Sequence, residues 1–278
     1  MVLAGRSLRW SSPLLFNDPF DVPREMVYGV TGTEILEACG RRIASLIENP
    51  PADTSELGSK LRLIVERVKA GIPAALKEEL IAENRKPHSA SHTSPALEEF
   101  KAQWRDWLPT FRILCLTESP MHTAMWLHYA DKYRGAVLEF ACVDELDSAW
   151  LAAERVVYSS TKPAVYTADG WAELLSLQHE IAVKRLLYVA TYIKSPDWSY
   201  EAEWRIATFR RPGDAGTYTD YKFDAQELVG VYLGPLMSDP DRGAIMTLLA
   251  AYPSAKVFSV RSGMTREFVV EPITRSQR

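Results

Sequence analysis

The sequence holds only three cysteines in 278 residues, Cys39, Cys115 and Cys142. Thiols so few and so far apart supply neither a disulfide framework nor metal-ligand spacing, so a reducing, cytoplasmic setting is expected. His88 and His92 stand four apart, but in the polar, turn-rich stretch "NRKPHSASHTS" without helical support, and no metal is expected there. No glycine-rich phosphate loop is present. The nearest candidate, Gly230 and Gly234 in "VGVYLGP", lacks a third glycine and the Lys-Ser or Lys-Thr that would follow it. Neither a serine elbow nor a Cys-His signature appears, which weakens the usual hydrolase readings. No apolar run approaches the ~20 residues that cross a bilayer, and "MVLAGRSLRW" has no long apolar stretch of the secretory kind. An excess of positive charge is missing too. The net charge of -4 argues against a broad nucleic-acid or anionic-membrane footprint.

What is present is an ordinary globular balance, 47% hydrophobic and 24% charged, enough for a sizeable core. Eight Trp and 12 Tyr form a heavy aromatic load, mostly for the core, with some able to line a pocket for a planar ligand. "SLRWSSP" reads as a strand closed by a turn, and "FNDPFD" as a tight corner in which Asn17 and Asp18 bond the local backbone, Pro19 stiffens the turn and Phe20 plugs the core.

From Thr33 to Thr110 the apolar spacing is helical. "TEILEACGRRIASLIE" opens on a Thr cap, "TSELGSKLRLIVERVKAG" stops at a Gly, "PAALKEELIAE" follows, and "SPALEEFKAQWRDWL" carries Ser94 and Pro95 at its start. Thereafter "FRILCLTES", "GAVLEF", "ERVVYSS", "EWRIATF", "YTDYKF", "ELVGVYLG", "AKVFSV" and "REFVVEPI" read as strands. "MHTAMWLHYADKYR", "WAELLSLQHEIAVKRLLYVATY" and "DPDRGAIMTLLAAY" read as helices. Strands without regular strand-helix alternation predict an α+β fold. The expected body is a mixed, mostly antiparallel sheet in one domain over 1–278, with a helical insertion at 33–110 after the first strand.

"SYEAEWRIATFRR" poses the functional question. On a strand, Glu201, Glu203 and Arg205 share one face, and Ala202, Trp204 and Ile206 the other. The apolar set can face a core; the charged set is either a solvated surface or the floor of a site. Glu203 and Arg205 can pair as a strand-face salt bridge, and Glu201 can close the strand entry. In "MWLHYA", Met125, His128 and Tyr129 fall on one side of a helix; Met125 and Trp126 suit a core, whereas His128 and Tyr129 carry polar tips able to reach a cleft. Arg9 can pair with Asp18 or Asp21, and Ser119 can cap the helix that follows.

"LRWSSPLLFNDPFD", "TAMWLHYADKYRGAVLEF" and "SPDWSYEAEWRI", in this order, resemble the bacterial family known only as domain of unknown function twenty-nine seventy-one. The resemblance runs from Leu8 to the last strand. Two departures stand out. Members usually begin with an earlier Tyr-rich strand and a short helix, an element expected here to be absent or to lie upstream. Tyr133 and Arg134 occupy positions where a His-Lys pair is frequent.

The family's layout is distantly similar to ADP-ribosyltransferase-like folds, which implies NAD as substrate and a macromolecular acceptor, in a defence or toxin context. On that resemblance Glu203 would stabilise the sugar cation as nicotinamide departs, Glu201 would orient the acceptor or act as base, and Tyr129 would stack on nicotinamide. Arg9 and Arg205 would bind phosphate, and Ser119 would fill the middle-motif serine role. Asn17, Asp18, Trp126 and His128 would shape the cofactor pocket. The alternative is a non-catalytic sensor that binds a nucleotide or a protein on the same scaffold.

Overall fold

The computed structural model describes residues 2–26, 29–87, 95–161, 167–265 and 267–274. Ser94, His88 and His92 lie outside them. The chain divides into two compact units, one made of Met1–Leu15, Pro109–Val156 and Pro196–Arg278, the other of Phe16–Leu108 and Val157–Ser195. The helices expected over 33–110 are present, but their unit also takes in residues 157–195.

The first unit is built on two sheets. It begins with a short helix α1 (Val2–Gly5) and strand β1 (Ser7–Ser11). After the second unit's long excursion it resumes with β2 (Phe111–Thr117), α6 (Thr123–Tyr129), β3 (Ala136–Phe140) and β4 (Glu154–Arg155). It then closes with β7 (Glu203–Phe209), β8 (Tyr218–Lys222), β9 (Leu228–Leu233), α9 (Asp239–Leu248), β10 (Lys256–Ser262) and β11 (Phe268–Ile273). One sheet runs β4-β7-β2-β1-β8, wholly antiparallel; the other runs β11-β10-β9-β3, with β9 and β10 parallel across α9. Only the second sheet is mixed, and the two together give the mostly antiparallel strand pairing of an α+β protein.

Alternation sets their cores. Trp10, Leu114 and Ile206 meet on one face of the first sheet. Leu228, Val231, Leu233 and Val257 of the second sheet pack with Leu3, Leu249 and Tyr252. Burying each such side chain contributes roughly 1.5–3 kcal/mol. Arg112 on β2 was not expected in a core, yet it is fully buried. It donates to the Thr219 hydroxyl and to the carbonyls of Pro109, Phe111 and Gly216, which clamps the strand to the turn before β8.

The second unit contains α2 (Gly32–Glu48), α3 (Ser59–Ala70), α4 (Ala74–Asn84), α5 (Pro95–Trp107), β5 (Val157–Tyr158), α7 (Ala168–Leu175), α8 (His179–Tyr192) and β6 (Ile193–Lys194). The Thr cap of α2 is Thr31, not Thr33, in a capping box with Glu34. The stretch read as one long helix is two, α7 and α8. Ser176 N–H still bonds Ala172 O, but past it the helical ladder yields to partners in residues 56–58: Gly58 N–H donates to Ser176 O at 2.9 Å and Gln178 N–H to Glu56 O at 2.8 Å. "ERVVYSS" is likewise two short strands, β4 and β5, in different sheets.

Candidate functional site

The site begins with β7, which starts at Glu203, so Glu201 is not on the strand. A 3-10 turn (Pro196–Glu201) leads in, and Ala202 adopts a left-handed backbone with φ of 44°. A non-glycine residue takes that conformation at a cost of about 1–2 kcal/mol. The result breaks the alternation expected across Glu201, Glu203 and Arg205. Thr117 at the end of β2 fastens the turn, its hydroxyl donating to Glu201 O at 2.8 Å.

Glu203 and Arg205 do share a face, and it is a buried one. Arg205 Nε donates to Glu203 Oε1 at 2.8 Å and Arg205 Nη2 to Oε2 at 2.9 Å, with the arginine 0% and the glutamate 4% exposed. This two-pronged ion pair has the geometry that best suits a guanidinium to a carboxylate. Of the set expected to be apolar, only Ile206 enters the core. Trp204 is partly exposed, and its ring N–H donates to Glu118 at 3.2 Å.

Strand register extends that face. Ser11 stands opposite Ile113, and Ile113 opposite Ala207. By alternation Arg9, Cys115, Thr117, Glu203 and Arg205 therefore point the same way, joined by Asp220 opposite Arg9 and Glu154 opposite Arg205. Arg9 pairs with neither Asp18 nor Asp21. Its Nε lies 3.3 Å from Asp220, and its guanidinium sits 3.9 Å over the Tyr218 ring, largely in solvent.

Tyr129 closes α6. The helix is anchored by Trp126, fully buried against Val260 and Phe268, whose ring N–H donates to Pro120 O at 2.6 Å. Trp126 is thus a core residue. Tyr129 keeps a 55% exposed ring, yet its hydroxyl donates to the buried Glu201 carboxylate at 2.9 Å. His128 is exposed beside it, the two rings 6.2 Å apart.

The helix ends sooner than the sequence suggests, because Asp131, Lys132 and Tyr133 are all left-handed. Close approach explains the glycines around this turn: a Cβ on Gly234 would stand 2.2 Å from Tyr133 O. Ser119 does not cap α6. Its hydroxyl accepts from Met121 N–H at 3.1 Å, while His122 holds the cap position without a side-chain bond.

Two expected site residues lie in the other unit. Asp18 N–H donates to Asn17 Oδ1 at 3.1 Å and Phe20 N–H to Asp18 Oδ1 at 2.8 Å, which is the turn chemistry expected. Phe20, however, is 89% exposed and plugs nothing. The buried member of this corner is Asp21, paired with the equally buried Lys194 at 3.3 Å.

Glu118 and Arg155 escaped the sequence reading, though Glu118 directly precedes the chosen Ser119. Arg155 bonds Glu118 and lies 5.7 Å over the Trp204 ring. The Arg155 guanidinium, and after it the Trp204 N–H, hold the Glu118 carboxyl below the usual carboxylate range. Among the described residues no cluster of three or more His, Cys, Asp or Glu is arranged to hold a metal. No helix among them is long and apolar enough to cross a membrane.

The segments "LTES", "MWLHYA" and "YEAEWR" thus converge on one cluster of carboxylates, guanidinium groups and rings in an α+β unit. Residues 125–206, which carry two of these segments, match the model of the family described as protein of unknown function (DUF2971). The family resemblance read from the motifs is borne out over that span. No curated protein and no solved structure matches the chain.

Proposed function

We propose that the first unit carries a nucleotide site on the β1–β2–β7 face and acts as an ADP-ribosyltransferase-like enzyme on NAD. The supporting observation is that Arg9, Glu203 and Arg205, from an early and a late strand, occupy one face of one sheet. Arg9 is the solvent-facing cation suited to a diphosphate. Arg205 holds Glu203 in a fixed direction, as stabilising a developing sugar cation demands. In the reaction the C1′–nitrogen bond breaks and its electron pair leaves with nicotinamide. Water or an acceptor hydroxyl then bonds to C1′ and gives up its proton to Glu201, whose role in this reading is that of base, while that of the Tyr129 ring is to stack on nicotinamide. A defence or toxin context follows from the family resemblance alone.

A second reading, a non-catalytic nucleotide or protein sensor, draws on the closure of the Glu203–Arg205 pair. Both carboxylate oxygens already receive a bond from Arg205, so a ribose hydroxyl must share an oxygen with that guanidinium. The two readings separate on incubating the purified chain with NAD labelled in nicotinamide. Release that falls at least a hundredfold in Glu203→Gln and in Glu201→Gln, both still folded by circular dichroism, supports the enzyme. Saturable binding without release supports the sensor, and neither binding nor release removes both.

A further inference from the structure

A cavity of about 410 Å³ opens in the first unit. It falls in the size range of small-molecule sites and far exceeds the ~30 Å³ that one water occupies in the liquid. Leu8, Trp10 and Tyr221 form one wall. On β1 and β8 these alternate with Arg9 and Asp220, so the wall belongs to the opposite face of the sheet from the Glu203–Arg205 pair. Tyr221 meets Trp10 edge-on at 5.1 Å, and the Arg211 guanidinium lies 4.8 Å over the Tyr221 ring.

Two polar atoms of the lining side chains, Trp150 Nε1 and the Tyr221 hydroxyl, are buried without a hydrogen-bond partner. Such groups are rare in folded proteins and call for a cause. Three acids line the same cavity, Asp147, Asp224 and Glu227, and none of them bonds either atom. Glu227 Oε1 accepts from the Ser148 hydroxyl at 2.5 Å, and Oε2 from Asp224 N–H at 2.7 Å.

We propose that this cavity binds a planar, anionic heteroaromatic molecule of mononucleotide size. Tryptophan offers only a donor, and the tyrosine hydroxyl can donate as well, so the ring must present acceptors. Trp10, Trp150 and Tyr221 supply flat apolar walls, and Arg211 supplies the counter-charge for a phosphate. The site is separate from the β1–β2–β7 face and stands whether or not NAD is the substrate there.

Calorimetric titration of the full chain with AMP tests it. Saturable binding is expected, weakened roughly tenfold in Tyr221→Phe by loss of one bond, while that variant melts no lower than the parent because the lost hydroxyl had no partner. Arg211→Gln should weaken AMP and leave adenosine unchanged, and Glu203→Gln should bind AMP as the parent does. No AMP heat at millimolar concentration overturns the proposal. So does unchanged affinity in Tyr221→Phe, or AMP binding that is lost in Glu203→Gln alone.

Discussion

Two arginine–carboxylate pairs stand on the same face of the same sheet and lead different lives. Arg205 and Glu203 are withdrawn from water and joined by two bonds, whereas Arg9 and Asp220 meet at 3.3 Å in solvent. Identical chemistry therefore has different consequences. Breaking a buried pair leaves a charge without solvation, which costs about 3–5 kcal/mol; breaking an exposed one costs ~0–1 kcal/mol. The buried pair fixes geometry, and the exposed one leaves a cation that can exchange its partner for a ligand.

Urea unfolding of single variants would break or sharpen that contrast. Glu203→Ala should lose about 3–5 kcal/mol of stability, against ~0–1 kcal/mol for Asp220→Ala. Similar losses at the two positions would mean that burial does not distinguish the pairs. Tyr129→Phe comes next. It removes the hydroxyl bound to the buried Glu201 carboxylate and should cost about 1–3 kcal/mol, an intermediate case since one partner is exposed and the other is not.

The smallest effect belongs to Glu118. Its folded-state pKa lies below its unfolded value. The stability it contributes is therefore complete above the unfolded value and disappears as pH falls through the folded one. Arg155→Gln should flatten that part of the stability profile, and an unchanged profile would show that the pair adds nothing.

The sequence disclosed some elements and hid others for identifiable reasons. Strands β7, β9 and β10 were legible because side-chain alternation is a local signal, and the α+β class followed from their number and order. The division between α7 and α8 was not, since "WAELLSLQHEIAVKRLLY" keeps its apolar spacing while the backbone at Ser176–Gln178 bonds to residues remote in sequence. The left-handed run Asp131–Tyr133 contains no glycine of its own; the signal lay in Gly135 and Gly234, whose missing side chains admit the turn. At the candidate site, Glu203, Arg205, Glu201 and Tyr129 were found by residue type and motif. Their connections were not, because Ala202 breaks the alternation that placed Glu201 beside Glu203, and because the partners of Asp21 and Arg9, Lys194 and Asp220, lie far along the chain.

The most direct measurement is calorimetric titration of NAD into the full chain and into Arg9→Gln. If the solvent-facing cation on this sheet holds a diphosphate, binding is saturable and weakens about tenfold in the variant, as loss of one charge-assisted contact predicts. Equal affinity in the two proteins, or no heat from either, would contradict it.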